Sequence, residues 1–373
     1  MRHEPLPFPS KRAAFRHAGL LACFSLVYAL GAYVSLTASP SRGSVALFWV
    51  PGGVALGLVY LRGMSLLAGV WLAVLAVNLY LGSNFSLAFM FALCNTAGVA
   101  VAVYPLRSRG GFQPGLKRFH DVLLFAGGAF LGSAVGGTLA ALALRLNGEL
   151  SGFFETAFHW GLAELLSFVA FAPFYLTNFS GPWFKRHWPF RRAIEFIVLT
   201  STVFFFGAMV FLGHPDDLGR YSRIAILLPV LLWAGLRFNP RVLSAFLKVL
   251  AIAAILGALF GRGVFSSESV IASLVEVQVY FVVFGISSLL IGSISYERAT
   301  LARERENHLR NIANAIPELV WTSDPEGRVT FLNEQSRDYF GPEEVSAYAP
   351  WGAVLHPSDA ALSEAAWQNG LRA

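Results

Sequence analysis

Residues 153–176 read FFETAFHWGLAELLSFVAFAPFYL, an apolar run with the carboxyl group of Glu164 near its middle. A membrane helix needs roughly 20 mainly apolar residues, so this run is long enough to cross a bilayer. The composition of the whole chain is also that of a membrane protein. Of its 373 residues, 55% are apolar and 13% are charged, whereas about 25% are charged in an ordinary soluble domain. This composition excludes a disordered chain, a disulfide scaffold and a simple soluble globule. It predicts a mainly α-helical, polytopic transmembrane bundle.

Ten apolar runs are predicted to span the membrane. Basic residues cluster in the N-terminus, in every second loop and in the tail, and loops rich in Lys and Arg stay cytoplasmic. Both termini are therefore predicted to be cytoplasmic, with residues 1–16 as the N-terminal segment. The net charge of +6 indicates topology rather than nucleic-acid binding. A cleaved signal peptide is the alternative to an uncleaved first span. The predicted spans are residues 17–37, 44–61, 64–81, 85–105, 120–146, 153–176, 193–212, 222–237, 240–260 and 270–295.

Ionisable side chains inside spans are costly, and they therefore mark candidate functional sites. Glu164 is the main candidate, as a proton-linked or cation-sensing carboxyl group, and Trp160 shares its helix face because the two are four residues apart. His159 precedes Glu164 by five residues and does not share that face closely. The alternative is a carboxylic acid that hydrogen-bonds to a neighbouring helix and only holds the bundle together.

Other polar and aromatic residues in the spans complete the candidate ligand-binding or sensing set. Tryptophans can line a pocket or anchor at the membrane interface. Asparagines can contact a ligand or hydrogen-bond between helices. Besides the three residues above, the set contains Trp49, Asn78, Asn95, Trp233 and Glu276.

Glycines at a spacing of four residues predict close helix packing. Gly128, Gly132 and Gly136 follow one another in the fifth span, and Gly53 and Gly57 repeat the spacing in the second. Small residues at this spacing let two helix backbones approach. Packing within the bundle is favoured over a contact between two copies.

The sequence after about residue 296 is of a different kind. Residues 296–316 alternate apolar and charged residues with helical spacing, which predicts an amphipathic linker helix that pairs with a second copy and ends at Pro317. Residues 317–373 predict a hairpin around Asp324-Pro-Glu-Gly327, a short helix at 334–340 and a helix at 358–370. Two strands cannot close a sheet core, so this domain is expected to be incomplete.

Residues 17–295 resemble the MASE1 family of bacterial integral-membrane sensory domains. The matching stretches are, in chain order, FWVPGGVA at 48–55, VNL at 77–79, HWGLAE at 159–164 with Pro173, LPVLLWAGLRF at 228–238 and GRGVF at 261–265. Two positions differ from the expected pattern: Val264 stands where Pro is expected, and Glu164 where Asp is expected. The resemblance implies a location in the bacterial inner membrane.

The tail resembles the N-terminal part of a PAS domain. The resemblance is carried by IPELVW at 316–321, which contains Trp321, and by Asp324, Gly327, Asn333, His356 and Asp359. MASE1 followed by PAS implies the input half of a sensor. Its output domain is expected to be a histidine kinase or, as the second choice, a diguanylate cyclase, and it is missing from this chain. No catalytic motif is found in the chain, and no residue specifies a cofactor.

The function predicted from these resemblances is sensory. An unknown small molecule or ion is expected to act on the bundle, and the last span is expected to pass its effect to the linker helix and the PAS part. The first alternative is a transporter, which ten spans and a carboxyl group within the membrane would suit. The second is a membrane scaffold that acts only through dimer contacts.

Overall fold

The computed structural model describes residues 11–39, 46–108, 110–149, 152–181, 189–213, 220–267, 269–326, 328–340 and 355–372. The chain divides into two compact units, Met1–Glu297 and Arg298–Ala373. The described part is mainly helical. Its helices before the tail are α1 (Lys11–Thr37), α2 (Val50–Arg62), α3 (Leu67–Tyr80, after a 3₁₀ turn at Met64–Leu66), α4 (Phe85–Ser108), α5 (Phe119–Leu146), α6 (Phe153–Asn178), α7 (Phe190–Phe211), α8 (Arg220–Arg237), α9 (Pro240–Leu259) and α10 (Val270–Ala315).

Seven helices of the described residues are long and apolar enough to cross a membrane. Three more apolar helices are shorter, at Val50–Arg62, Met64–Tyr80 and Ala225–Arg237, and they coincide with the second, third and eighth predicted spans. The structure therefore supports a multi-pass membrane protein, and the count of ten spans stays a prediction.

The starts of the first two predicted spans differ most from the observed helices, and α1 already begins at Lys11 although its span was expected from residue 17. The second span was expected from residue 44, but α2 begins at Val50 because Pro51 favours the first turn of a helix. Residues 46–49 form a buried, non-helical approach to α2, and residues 44 and 45 lie outside the described part. The tenth predicted span, 270–295, and the predicted linker helix, 296–316, form one helix, because α10 continues without a break to Ala315.

Glycines allow close contacts between helix backbones in the first unit. A Cβ atom on Gly128 of α5 would lie 2.6 Å from the Ala102 carbonyl oxygen of α4, and one on Gly57 of α2 would lie 2.6 Å from Cβ of Tyr175 in α6. The same atom on Gly132 would collide with the α4 backbone, and on Gly53 with the α6 backbone. The spacing of α2, α4, α5 and α6 therefore depends on the absence of side chains at these positions.

A serine joins α2 to α6 beside these glycines. The Ser167 hydroxyl accepts a hydrogen bond from the Gly53 amide at 2.7 Å and donates one to the Val50 carbonyl at 3.2 Å. The Val50 carbonyl belongs to the first turn of α2. The bond fixes the point at which the chain enters that helix.

The second unit contains a hairpin followed by two helices. Strands β1 (Trp321–Ser323) and β2 (Val329–Leu332) pair antiparallel, and α11 (Glu334–Phe340) and α12 (Pro357–Arg372) follow. Asp324 closes the turn by accepting hydrogen bonds from the Arg328 amide at 2.7 Å and from its guanidinium at 2.8 Å. Loss of hydration raises the pKa of the Asp324 carboxyl, but the bonds from Arg328 outweigh it and leave that pKa below its ordinary value. Gly327, from the predicted turn, lies outside the described residues.

The glycine contacts generate a stability prediction. Gly128→Ala should lower the free energy of unfolding by about 1–3 kcal/mol, because the added methyl group pushes α5 away from the Ala102 carbonyl. Gly127→Ala is the matched control, since no atom lies within 4 Å of the Cβ position there. Both variants would be unfolded in detergent and compared with the unmodified chain. Equal effects of the two variants would contradict the packing described here.

Candidate functional site

Glu164 is buried in the first unit, and no described residue forms a hydrogen bond with its carboxyl group. Its side chain belongs to α6, and the residue is 1% exposed. Neither carboxyl oxygen has a hydrogen-bonding partner among the described residues. A buried carboxylate without donors or a counter-charge loses its hydration energy and recovers nothing in return. In its ionised form the group would therefore be a costly feature of the described part of the bundle.

Two glycines leave space for the Glu164 side chain between neighbouring helices. A Cβ atom on Gly98 of α4 would lie 2.5 Å from Oε1 of Glu164, and one on Gly136 of α5 would collide with Oε2. The carboxyl group thus fills the volume that side chains at these two positions would take. It lies against α4 at Gly98 and against α5 at Gly136, and any larger group at either glycine must displace it.

Asn95 supplies a further unpartnered oxygen on α4. It is 1% exposed, its Nδ2 donates to the Phe91 carbonyl at 2.9 Å, and its Oδ1 has no partner among the described residues. Phe91, Asn95 and Gly98 lie on one face of α4 because they are four and three residues apart. The Phe91 ring packs against Trp160 of α6, with ring centroids 5.1 Å apart, and Gly98 packs against Glu164. Asn95 therefore lies on the α4 face between two contacts with α6.

Trp49 and Tyr28 border the same region. The Trp49 indole donates to the Tyr28 hydroxyl at 3.3 Å, and both residues are buried. The Tyr28 hydroxyl and the Cys94 thiol both lie within electrostatic reach of Glu164. The candidate site thus combines acceptor oxygens from α4 and α6 with aromatic side chains. A proton, a cation or a ligand with N–H or O–H groups would supply what the acceptors lack.

The structure does not bring the other candidates into this group. His159 is half-buried on α6, and its ring lies against the neighbouring Phe158. Asn78 donates to the Val74 carbonyl of its own helix at 2.9 Å. Glu276 is half-buried on α10. Among the described residues no three His, Cys, Asp or Glu side chains form a metal-binding group.

Trp233 belongs to a different polar cluster. Its indole donates to Oε1 of Glu195 at 3.3 Å, and the Arg237 guanidinium donates to the same oxygen at 2.7 Å. The bonds join α7 to α8. Sequence reasoning did not single out Glu195, although the cost of a carboxylate in an apolar helix was a signal for it.

Gln278 was also missed, although the same argument applies to it. Its Nε2 donates to the Leu47 carbonyl, and its Oε1 has no partner in the described part of the chain. Leu47 lies in the non-helical segment before α2, two residues from Trp49. The first third of α10 is therefore bonded to the segment that carries Trp49.

A polar contact joins α5 to α10 at the end of the first unit. The Phe119 amide, in the first turn of α5, donates to Oε2 of Glu297 at 3.1 Å. The Lys117 ammonium lies 5.1 Å from the centroid of the Tyr296 ring. A carboxylate is favourable at a helix N-terminus because the first amides there lack partners. Glu297 thus caps the helix whose Gly136 packs against Glu164.

The loop before α5 is itself held firmly. Arg118 donates to both carboxyl oxygens of Asp121, at 2.7 and 2.8 Å, and the Gln113 amide donates to the same group at 3.1 Å. The hydrogen bond to Asp121 raises the pKa of the Arg118 guanidinium, so this cation stays charged. The start of α5 is therefore a fixed partner for Glu297.

In the second unit, Asn333 is the central hydrogen-bonding residue. It is fully buried, and its Nδ2 donates to the carbonyls of Ala313 at 3.0 Å and Glu318 at 2.8 Å. Its Oδ1 accepts from the amides of Val320 at 3.1 Å and Ser336 at 3.0 Å. One side chain thus joins the end of α10, the first strand and α11.

The remaining tail candidates lie at the start of α12 and on β1. The His356 Nδ1 and the Ser358 hydroxyl are 2.8 Å apart, and the Ser358 hydroxyl donates to Asp359 at 3.1 Å. Trp321 packs edge-on against Trp367 of α12, with ring centroids 5.3 Å apart. These contacts connect the hairpin with the last helix of the same unit.

The position of Glu164 between two glycines can be tested by a double-mutant cycle. Gly136→Ala should lower the free energy of unfolding by about 1–3 kcal/mol, because the new methyl group displaces the carboxyl group. In a Glu164→Ala background most of that loss should disappear. Gly137→Ala is the control, since its methyl group would meet the backbone of Ala157 and Gly161. Its cost should be equal in both backgrounds, and equal costs for Gly136→Ala would contradict the geometry.

The role of Asn333 can be tested by hydrogen exchange. Asn333→Ala removes the side-chain acceptor of the Val320 and Ser336 amides and the side-chain donor to the Ala313 and Glu318 carbonyls, and each buried amide left without a partner costs about 1–3 kcal/mol. The amides of Val320 and Ser336 should therefore exchange much faster than in the unmodified chain. Asn314→Ala, which removes one bond to the Glu334 amide, is the control and should leave both amides protected. Unchanged protection in Asn333→Ala would show that this side chain does not hold the unit together.

Comparisons with known proteins identify the family to which the chain belongs. A 51-residue stretch is 33% identical to Hybrid signal transduction histidine kinase H of Dictyostelium discoideum. The stretch covers 14% of this chain and only 4% of that kinase. No solved structure matches the chain. The MASE1 family model matches residues 18–299, which include most of α1, all of α2 to α9 and the first part of α10. The chain therefore belongs to the MASE1 family, whose members are membrane sensory domains of signalling proteins.

Proposed function

We propose that the chain is the sensory input module of a bacterial signal-transduction protein. Its first unit lies in the inner membrane with both termini in the cytoplasm, and it binds a signal near Glu164. The observation that carries the proposal is α10, which runs without a break from Val270 to Ala315. With 46 residues at 1.5 Å each, this helix is about 69 Å long, more than twice the apolar thickness of a bilayer.

The route of the signal uses contacts of the first unit. A ligand at Glu164 changes how α5 packs against α4 and α6, because Gly136 on α5 contacts the carboxyl group. The N-terminus of α5 is bonded to Glu297 of α10. A shift of α5 along its axis is thereby passed to α10, which continues as the linker helix.

The linker helix passes the signal on as part of a homodimer. Its apolar side chains Leu301, Leu309 and Ile312 are exposed in the single chain. Apolar residues at this spacing on an otherwise charged helix are typical of a coiled-coil seam. The tail after it is the first part of a PAS domain, and the output domain is a histidine kinase or, as second choice, a diguanylate cyclase.

Disulfide cross-linking in nanodiscs tests both the dimer and the route. In a chain with Cys23 and Cys94 replaced by alanine, Leu309→Cys and Ile312→Cys should form linked dimers several times faster than Asn307→Cys on the opposite face. Glu164→Gln should then change the Ile312→Cys rate. Glu297→Ala should abolish that change, because it removes the cap on α5, whereas the control Glu304→Ala should preserve it.

The same experiment separates the proposal from its alternatives. A linker that does not respond to Glu164→Gln, together with solute flux in proteoliposomes, would favour a transporter. If Glu164→Gln, Glu297→Ala and Glu304→Ala all leave the cross-linking rate unchanged and the proteoliposomes show no solute flux, a scaffold would be favoured. Equal rates at positions 307, 309 and 312 would reject the dimer seam.

A further inference from the structure

We propose that Glu164 is a proton-binding site: its carboxyl group holds a proton while α4 and α5 are packed as described, and releasing that proton requires the two helices to separate. The inference rests on the proposed sensory function and names its signal as a proton. It assigns the change of packing to one side chain.

The first argument is the lack of any group that could stabilise a charge. Within the described residues, neither oxygen of Glu164 accepts a hydrogen bond and no cation is paired with it. A bare carboxylate in an apolar interior costs several kcal/mol even after relaxation. A neutral carboxylic acid costs much less, because only a dipole is buried. The packed helices thus select the neutral form.

The surrounding ionisable groups do not change this conclusion. On α1 and α4 the ionisable groups that interact electrostatically with Glu164 are the Tyr28 hydroxyl and the Cys94 thiol. Both are weak acids and carry no positive charge. On α5 the ionisable residues lie at its two ends. Lys248 of α9 donates to the Tyr175 hydroxyl at 3.1 Å, eleven residues further along α6. Eleven residues of helix correspond to about 16 Å.

The second argument is space. The carboxyl group fits between α4 and α5 only because residues 98 and 136 are glycines. An ionised carboxylate needs water or a cation as a partner, and a water molecule needs room and several polar contacts. Asn95 Oδ1 offers one further unpartnered acceptor on the α4 face, but it offers no hydrogen to a carboxylate. Ionisation therefore draws water into this gap and forces the helices apart.

The third argument is the connection of the gap to the rest of the unit. The helix that must move, α5, is the one whose first amide is bonded to Glu297. The bond lies at its N-terminus, seventeen residues before Gly136. Proton release thus moves the partner of α10 without any larger ligand entering the bundle.

A hydrophobic carbodiimide tests the proposal on the full chain in nanodiscs. Such reagents add to protonated carboxyl groups in apolar surroundings and leave hydrated carboxylates largely unmodified. Dicyclohexylcarbodiimide should modify the buried Glu164 at neutral pH several-fold more than the exposed Glu155 of the same helix, because the reagent partitions into apolar surroundings whereas Glu155 is hydrated. The modification, measured by peptide mass spectrometry, should fall as the pH is raised.

Infrared spectroscopy keeps the proposal falsifiable if the reagent cannot reach the site. The difference spectrum between the unmodified chain and Glu164→Gln at neutral pH should contain the carbonyl stretch of a neutral carboxylic acid. Carboxylate bands in its place would overturn the proposal. Protection of Glu164 from the carbodiimide by sodium ions at constant pH would also overturn it, in favour of a sodium site.

The outcome is independent of the test of the proposed function. A protonated Glu164 whose substitution leaves linker cross-linking unchanged would preserve the proton site and reject its sensory role. An ionised Glu164 whose substitution alters cross-linking would preserve the sensory role and reject the proton as its signal.

Discussion

The close approach of α4, α5 and α6 around one carboxyl group is the constraint on which the first unit depends. Gly98 and Gly136 leave a space that Glu164 fills, while Gly128 and Gly132 bring α5 against the α4 backbone on either side of Ala102. Dispersion between closely packed backbones is a main source of cohesion in a membrane bundle. A polar group without partners lies within that contact, so the packing is strongest and most easily disturbed at the same place.

Asn333 and Glu164 represent opposite ways of burying a polar side chain. Asn333 satisfies both its donor and its acceptor with several backbone groups, and a fully satisfied network makes its surroundings rigid. Neither carboxyl oxygen of Glu164 has a hydrogen-bond partner among the described residues. The first arrangement suits a joint that must hold the end of α10 against the strands that follow. The second suits a place whose state depends on what binds there.

The sequence was sufficient for those features that local chemistry controls. Apolar length located the helices, Pro317 marked the end of α10, and Asp324 marked the hairpin turn. The start of α2 was missed because apolar residues 46–49 are buried without being helical. The partners of Glu164 were also beyond the sequence, because Gly98 and Gly136 become its neighbours only through tertiary packing. Trp233 was grouped with Glu164 because both are conspicuous in apolar runs, although its partner is Glu195.

The glycines around Glu164 also bear on how this part of the sequence can evolve. Residues 98, 136 and 164 share one volume, so their sizes are linked. A lineage that acquires alanine at 98 or 136 must either shorten the side chain at 164 or tolerate a shift between helices. A lineage that shortens the side chain at 164 first can then accept larger residues at both glycine positions. Among relatives these three positions should therefore covary, although they are 66 residues apart along the chain at their extremes. The favoured order of substitutions is the one in which the side chain at 164 shortens before either glycine is replaced, because that order never requires the helices to shift.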